Sequence, residues 1–110
     1  MNKLILLLIA TCLTSISLHA SIYKGQKYFK RKCLSCHGKA LKFVTEKSYD
    51  TWKEYLDENG DVIYSLHEDS DEAAPSMEYF NSDKYRRSIG HFSDFFLEYA
   101  SDTGNIPACE

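Results

Sequence analysis

Cys33-Leu34-Ser35-Cys36-His37 closes a helical stretch that begins at Ile22, and these five residues decide what the rest of the chain must enclose. They spell C-x-x-C-H, the attachment signature of a c-type haem. Two thiols three positions apart suit thioether bonds to the two vinyl groups on one edge of a porphyrin. A histidine directly after the second cysteine is then held against the iron face, where an imidazole nitrogen ligates the metal. The redox chemistry belongs to the cofactor, while the protein sets ligands, burial and access. Cys33, Cys36 and His37 are therefore the expected binding residues for one covalent haem c, with His37 as proximal iron ligand. Two other readings of the cysteines stand beside this one. A metal-free reading makes them a disulfide or redox dithiol, and a zinc reading adds His37 and Cys109 as ligands. Neither explains a histidine directly after the second cysteine.

Working outward, Ile22, Gly25, Phe29 and Cys33 recur at helical spacing, which predicts a helix over 22–33. Asp50 to Asn59 reads as a second helix, with Trp52, Tyr55 and Leu56 on one face and Gly60 as its stop. A short third helix follows Asp61, with Ile63, Leu66 and His67 along one side. Glu68 to Pro75 reads as an acidic loop. A last helix is expected within Ser88 to Ser101, with Ile89, Phe92, Phe96 and Tyr99 as its apolar stripe and Gly104 beyond its end. No alternating strand pattern of useful length occurs, so the expected fold class is all-α.

Residues 1–20 read as a signal peptide. Lys3 gives a positive start, an apolar run extends from Leu4 to Ala10, and Ala20 is a suitable last residue before cleavage. The run is too short to span a bilayer, which needs roughly 20 apolar residues. Export, most simply to a bacterial periplasm, is the expectation. A lipid anchor on Cys12 is the alternative for membrane association, and a retained N-terminal anchor is a further one that the short apolar run disfavours. Residues 21–110 then form one domain, small enough for a large apolar cofactor to help stabilise it. That domain holds Cys33, Cys36 and Cys109, so thioethers on the first two leave Cys109 single.

Charge divides the domain. Nine basic residues lie between Lys24 and Lys53, against Glu46 and Asp50 alone. Ten acidic residues lie between Glu54 and Asp83, where there is no Lys or Arg. Beyond residue 20, twelve Lys and Arg stand against sixteen Asp and Glu, a balance of −4 with histidines neutral. Such a domain is not expected to bind nucleic acid. The basic half surrounds the C-x-x-C-H, which points to acidic redox proteins as partners. The sequence has no nucleophile–base constellation and no phosphate-binding glycine loop, so an enzymatic activity of its own is not expected.

The chain resembles the class I cytochrome c family in three places. Gly25-x-x-x-Phe29-x-x-x-Cys33-x-x-Cys36-His37-Gly38 is similar to that family's first helix running into its haem site. The helix ending Phe96-x-x-Tyr99 is similar to the aromatic helix that crosses the first one. Met77 lies between the haem site and the terminal helix. The resemblance implies a small cytochrome c-like helical domain around one covalently attached haem, a close helix crossing at Gly25, and Phe29 packed near Tyr99. It also implies Met77 as distal iron ligand, with Pro75 keeping the approach extended. Residues 39–76 depart from the family: no Gly-Pro follows His37 and no Pro follows Met77. The second nitrogen of His37 must therefore find a different acceptor.

His67 is the alternative distal ligand, because it shares a helical side with Ile63 and Leu66. His91, in the terminal helix, is the least favoured. Phe43, Tyr49, Trp52 and Tyr55 are candidates for the haem wall. The function expected from these residues is single-electron transfer between respiratory redox partners. The alternative is a haem-based module that binds or senses a small ligand at an open or displaceable sixth position. Methionine ligation favours the first and a raised potential, while an empty site favours the second.

Overall fold

The computed structural model describes residues 2–107, without the side chains of residues 4–16 and 58. Cys109 and the side chain of Cys12 lie outside the described residues, and with them the roles considered for both. Every described element is helical: α1 (Lys3–Lys32), α2 (Leu34–His37), α3 (Ala40–Val44), α4 (Tyr49–Tyr55), α5 (Asp57–Glu68), a 3-10 helix (Asp71–Ser76), α6 (Met77–Phe80) and α7 (Asp83–Glu98). The all-α expectation holds. Among the described residues, no helix is long and apolar enough to cross a membrane.

The core forms where α1 crosses α7. Ile22 and Phe29 of α1 meet Phe92, Phe95 and Phe96 of α7, and all five are buried. Gly25 makes the approach possible, because a Cβ there would lie 2.1 Å from the His91 carbonyl oxygen and 2.7 Å from Phe95 Cβ. Phe29 does not pack near Tyr99 as the resemblance implied. Its ring lies 6.1 Å from Phe96, 6.5 Å from Phe95 and 5.0 Å from Phe43, while Tyr99 sits on Phe95. One more helical turn separates Tyr99 from the crossing. On α1, Ser17 to Ala20 are exposed and Ile22 is buried. Ser21 donates to Asp94 Oδ2 at 2.5 Å and lies 2.7 Å from His91 Nδ1, which ties the start of the packed segment to α7.

α7 begins at Asp83, five residues before the expected start. Lys84, Arg86 and Arg87 disguise its first turn, yet Tyr85 and Ser88 are buried there. The boundary expected at Gly60 also falls differently. α4 ends at Tyr55, and α5 then runs through Gly60 to Glu68. Gly60 does take a left-handed conformation (φ 84), as does Asn59 (φ 55), so the local signal was real. The chain resumes its helix because α7 satisfies the carbonyls that the break releases. Tyr85 Oη donates to Gly60 O at 2.6 Å, and Arg86 donates to Asn59 O at 3.1 Å while pairing with Asp61.

The segment expected as a loop is partly ordered. Asp69 and Ser70 turn the chain, and Asp71–Ser76 forms the 3-10 helix with Pro75 inside it. Pro75 therefore does not hold an extended approach to Met77, which opens α6. At the other end of the domain, Ser48 caps α4 through Thr51 N, and Ser101 N donates to Lys47 O at 2.9 Å. Tyr49 N donates to Asp102 Oδ1 at 2.8 Å, so the chain after α7 is fastened beside α4.

Candidate functional site

The C-x-x-C-H residues fold as a single helical turn. Cys36 N and His37 N both donate to Cys33 O, at 3.3 and 2.9 Å, and Gly38 N donates to Leu34 O at 2.9 Å. Positions i, i+3 and i+4 share one helical face, so Cys33, Cys36 and His37 present their side chains together. Gly38 ends the turn with a positive φ of 75. Both thiols are free, Cys33 partly buried and Cys36 exposed. Burial pushes the Cys33 thiol up to about 12, with the neighbouring Cys36 adding to the effect. A thiol held protonated in this way is a poor redox nucleophile.

These three residues form part of the wall of a cavity of about 740 Å³. Its volume lies within the range of about 300–1,000 Å³ usual for cofactor and ligand sites. The wall is largely aromatic and aliphatic, with Phe29, Phe43, Trp52, Tyr55, Ile63 and Phe96 among its residues. Three of the four aromatics expected there, Phe43, Trp52 and Tyr55, take part; Tyr49 is exposed and does not. Trp52 is fixed by its indole N–H, which donates to Val44 O at 2.7 Å. Lys32, Lys47, Glu46 and Glu72 add charge to an otherwise apolar wall. The Lys47 ammonium stands over the rings of Trp52 and Tyr55, and that of Lys32 over Tyr79, each cation–π contact between 5.1 and 5.6 Å.

Two histidines, His37 and His67, stand close together in the wall of this space. The rings of His37 and His67 have centroids 5.8 Å apart and planes at 73°. Burial first, then the adjacent His67, holds His37 below the usual imidazole value, against a smaller upward pull from Glu46. His37 nonetheless keeps an exposed edge, and a lowered value favours the unprotonated ring, the form in which histidine ligates a metal. His37 rests on Phe43, with ring centroids 4.9 Å apart.

The structure separates the other candidates. Met77, half-buried at the start of α6, is not part of the cavity wall, whereas His67 is. His91 is not part of the wall and is engaged with Ser21 and the ring of Tyr28. Tyr79 and Tyr85, which the sequence did not single out for the site, belong to the wall. Tyr79 Oη and Ser88 Oγ lie 2.7 Å apart, and Ser88 donates to Tyr85 O, so the two tyrosines join one hydrogen-bonded group. Burial pushes the pKa of both phenols up, so each stays protonated to higher pH than a free tyrosine. Only their aromatic spacing around Phe80 would have suggested it from sequence.

Among the described residues, no group of three or more His, Cys, Asp or Glu side chains is assembled for a metal ion. The tetrahedral donor set that zinc needs is thus not gathered there, and Cys109 lies outside the described residues. A haem asks for less: two thiols on one edge, one or two axial ligands and a large apolar enclosure. The residues present fit that demand. No protein-family model, curated protein or solved structure matches this chain.

Proposed function

We propose that this chain is an exported c-type cytochrome that carries single electrons between redox proteins. One observation carries the reading: Cys33, Cys36 and His37 share a helical turn that opens on a 740 Å³ aromatic cavity. Cys33 and Cys36 would hold the haem through thioethers, a thiol S–H adding across each vinyl group with no electrons gained or lost. His37 would ligate the iron. Phe29, Phe43, Trp52 and Phe96 would enclose the group and exclude water. When bound, the haem supplies reversible one-electron cycling between ferrous and ferric iron.

Placement in a periplasm follows from the leader read over residues 1–20, and the exposure of Ser17 to Ala20 beside the buried Ile22 is compatible with cleavage there. Lys30, Arg31, Lys32, Lys39 and Lys42 are all exposed around the haem turn, and Lys32 also reaches the cavity wall. That surface suits an acidic electron-transfer partner. The cytochrome c-like architecture belongs to the same proposal, supported by the α1–α7 crossing at Gly25.

Acid–acetone extraction after expression with a c-type maturation system tests the reading. The haem stays with the protein if the thioethers form, and Cys33→Ser with Cys36→Ser releases it. Haem that moves wholly into the solvent from the unaltered chain overturns the proposal.

A further inference from the structure

We infer that His67 supplies the second axial ligand, so that the iron is held between two imidazoles, His37 and His67. The inference rests on haem attachment as proposed above and adds the ligand set of that site. Metal–imidazole bonds of about 2.0–2.1 Å place the centres of two axial rings about 6 Å apart. The observed separation of 5.8 Å is close to that requirement, and the two residues come from different elements, α2 and α5.

The tautomer of His67 is already set for the task. Its Nδ1 lies 2.8 Å from Ile63 O, and a carbonyl oxygen only accepts, so Nδ1 carries the hydrogen. Nε2 is then the nitrogen left to ligate, since a hydrogen bond at one ring nitrogen orients the other for a metal. Phe80, buried beneath it, stacks on the His67 ring with centroids 4.2 Å apart and an angle of 29°, which restricts its rotation. Met77, the thioether that would compete, is not part of the cavity wall.

Optical and electron paramagnetic resonance spectra of the matured, full-length ferric protein test this directly. The unaltered protein should give a low-spin bis-imidazole signature and lack the weak thioether charge-transfer band near the red edge. Met77→Ala should leave spectrum and potential unchanged. His67→Ala should lose the low-spin signature and regain it on addition of free imidazole. If His67→Ala does not accumulate, His67→Met decides, since a thioether in that place should bring in the charge-transfer band and raise the potential. A native charge-transfer band that Met77→Ala abolishes, or spectra unaltered by either His67 substitution, overturns the inference. Acid–acetone extraction of the same samples keeps the two claims apart: retained haem with an unaltered His67→Ala spectrum refutes only the ligand, whereas released haem refutes the attachment.

Discussion

Gly25 lies so close to His91 that a Cβ on Gly25 would stand 2.1 Å from the His91 carbonyl oxygen. No side chain fits there without moving α1 away from α7, and the buried rings of Phe29, Phe92, Phe95 and Phe96 depend on that closeness. Alanine at this position improves helix propensity by up to about 1 kcal/mol. Overpacking of a core contact costs about 1–3 kcal/mol, and backbone offers little relief. Gly25→Ala should therefore be net destabilising, by up to about 2 kcal/mol in chemical denaturation of the protein. A stabilised variant would contradict the close crossing.

Gly60 sits under a second constraint. Its φ of 84 disfavours any Cβ, and a Cβ there would meet Tyr85 Oη at 2.5 Å and Ile89 Cδ1 at 2.7 Å. Left-handed backbone costs about 1–2 kcal/mol for a side-chain-bearing residue, and overpacking adds to it. Gly60→Ala should lose at least about 2 kcal/mol and displace Tyr85, which near-ultraviolet circular dichroism would register.

Tyr85 gives an alkaline limit to stability. Its phenol donates to Gly60 O, and burial raises its ionisation above the ordinary value near 10. Above that value the unfolded chain releases a proton that the folded chain keeps, so stability falls as pH rises through it. Tyr79 and Tyr99, also raised chiefly by burial, act in the same direction. Tyr85→Phe should reduce the alkaline slope of the unfolding free energy without abolishing it. An unchanged slope would mean that the Tyr85 phenol ionises freely in the folded protein.

Several of these features were legible in the sequence and several were not, for reasons that differ. The i, i+3, i+4 face of Cys33, Cys36 and His37 follows from spacing alone, as does the apolar stripe of α7. The start of α7 was hidden because Lys84, Arg86 and Arg87 interrupt the apolar pattern, while the buried Ser88 carries no apolar signal. Gly60 announced its left-handed turn correctly, but no local rule shows that Tyr85 and Arg86 would satisfy the freed carbonyls from 25 and 27 residues away. His67 was legible as a residue beside Ile63 and Leu66. Its place beside His37 depends on a tertiary contact between α5 and α2, which a linear pattern does not reveal. The preference for Met77 leaned on an extended approach through Pro75, and that residue lies in a 3-10 helix instead.

The basic surface makes a kinetic prediction. Lys39 and Lys42 are exposed beside the Cys33–His37 turn, while Asp57, Asp61, Glu68 and Asp69 populate the acidic face. Electron transfer to an acidic partner should slow as salt rises, since screening acts over about 8–10 Å at ordinary ionic strength. Reversing Lys39 and Lys42 to Glu should lower the bimolecular rate several-fold at low salt and flatten its salt dependence, with little change in potential. Stopped-flow measurements with one acidic and one basic redox protein check this. Faster transfer to the basic partner would move docking to the acidic face.

The intact mass of the matured chain tests covalent haem most directly. Co-expression with a c-type maturation system should yield a protein that lacks residues 1–20 and is heavier by one haem, and Cys33→Ser with Cys36→Ser should remove that increment. A mature chain with no added mass, or one in which Cys33 and Cys36 are joined as a disulfide, would contradict the account.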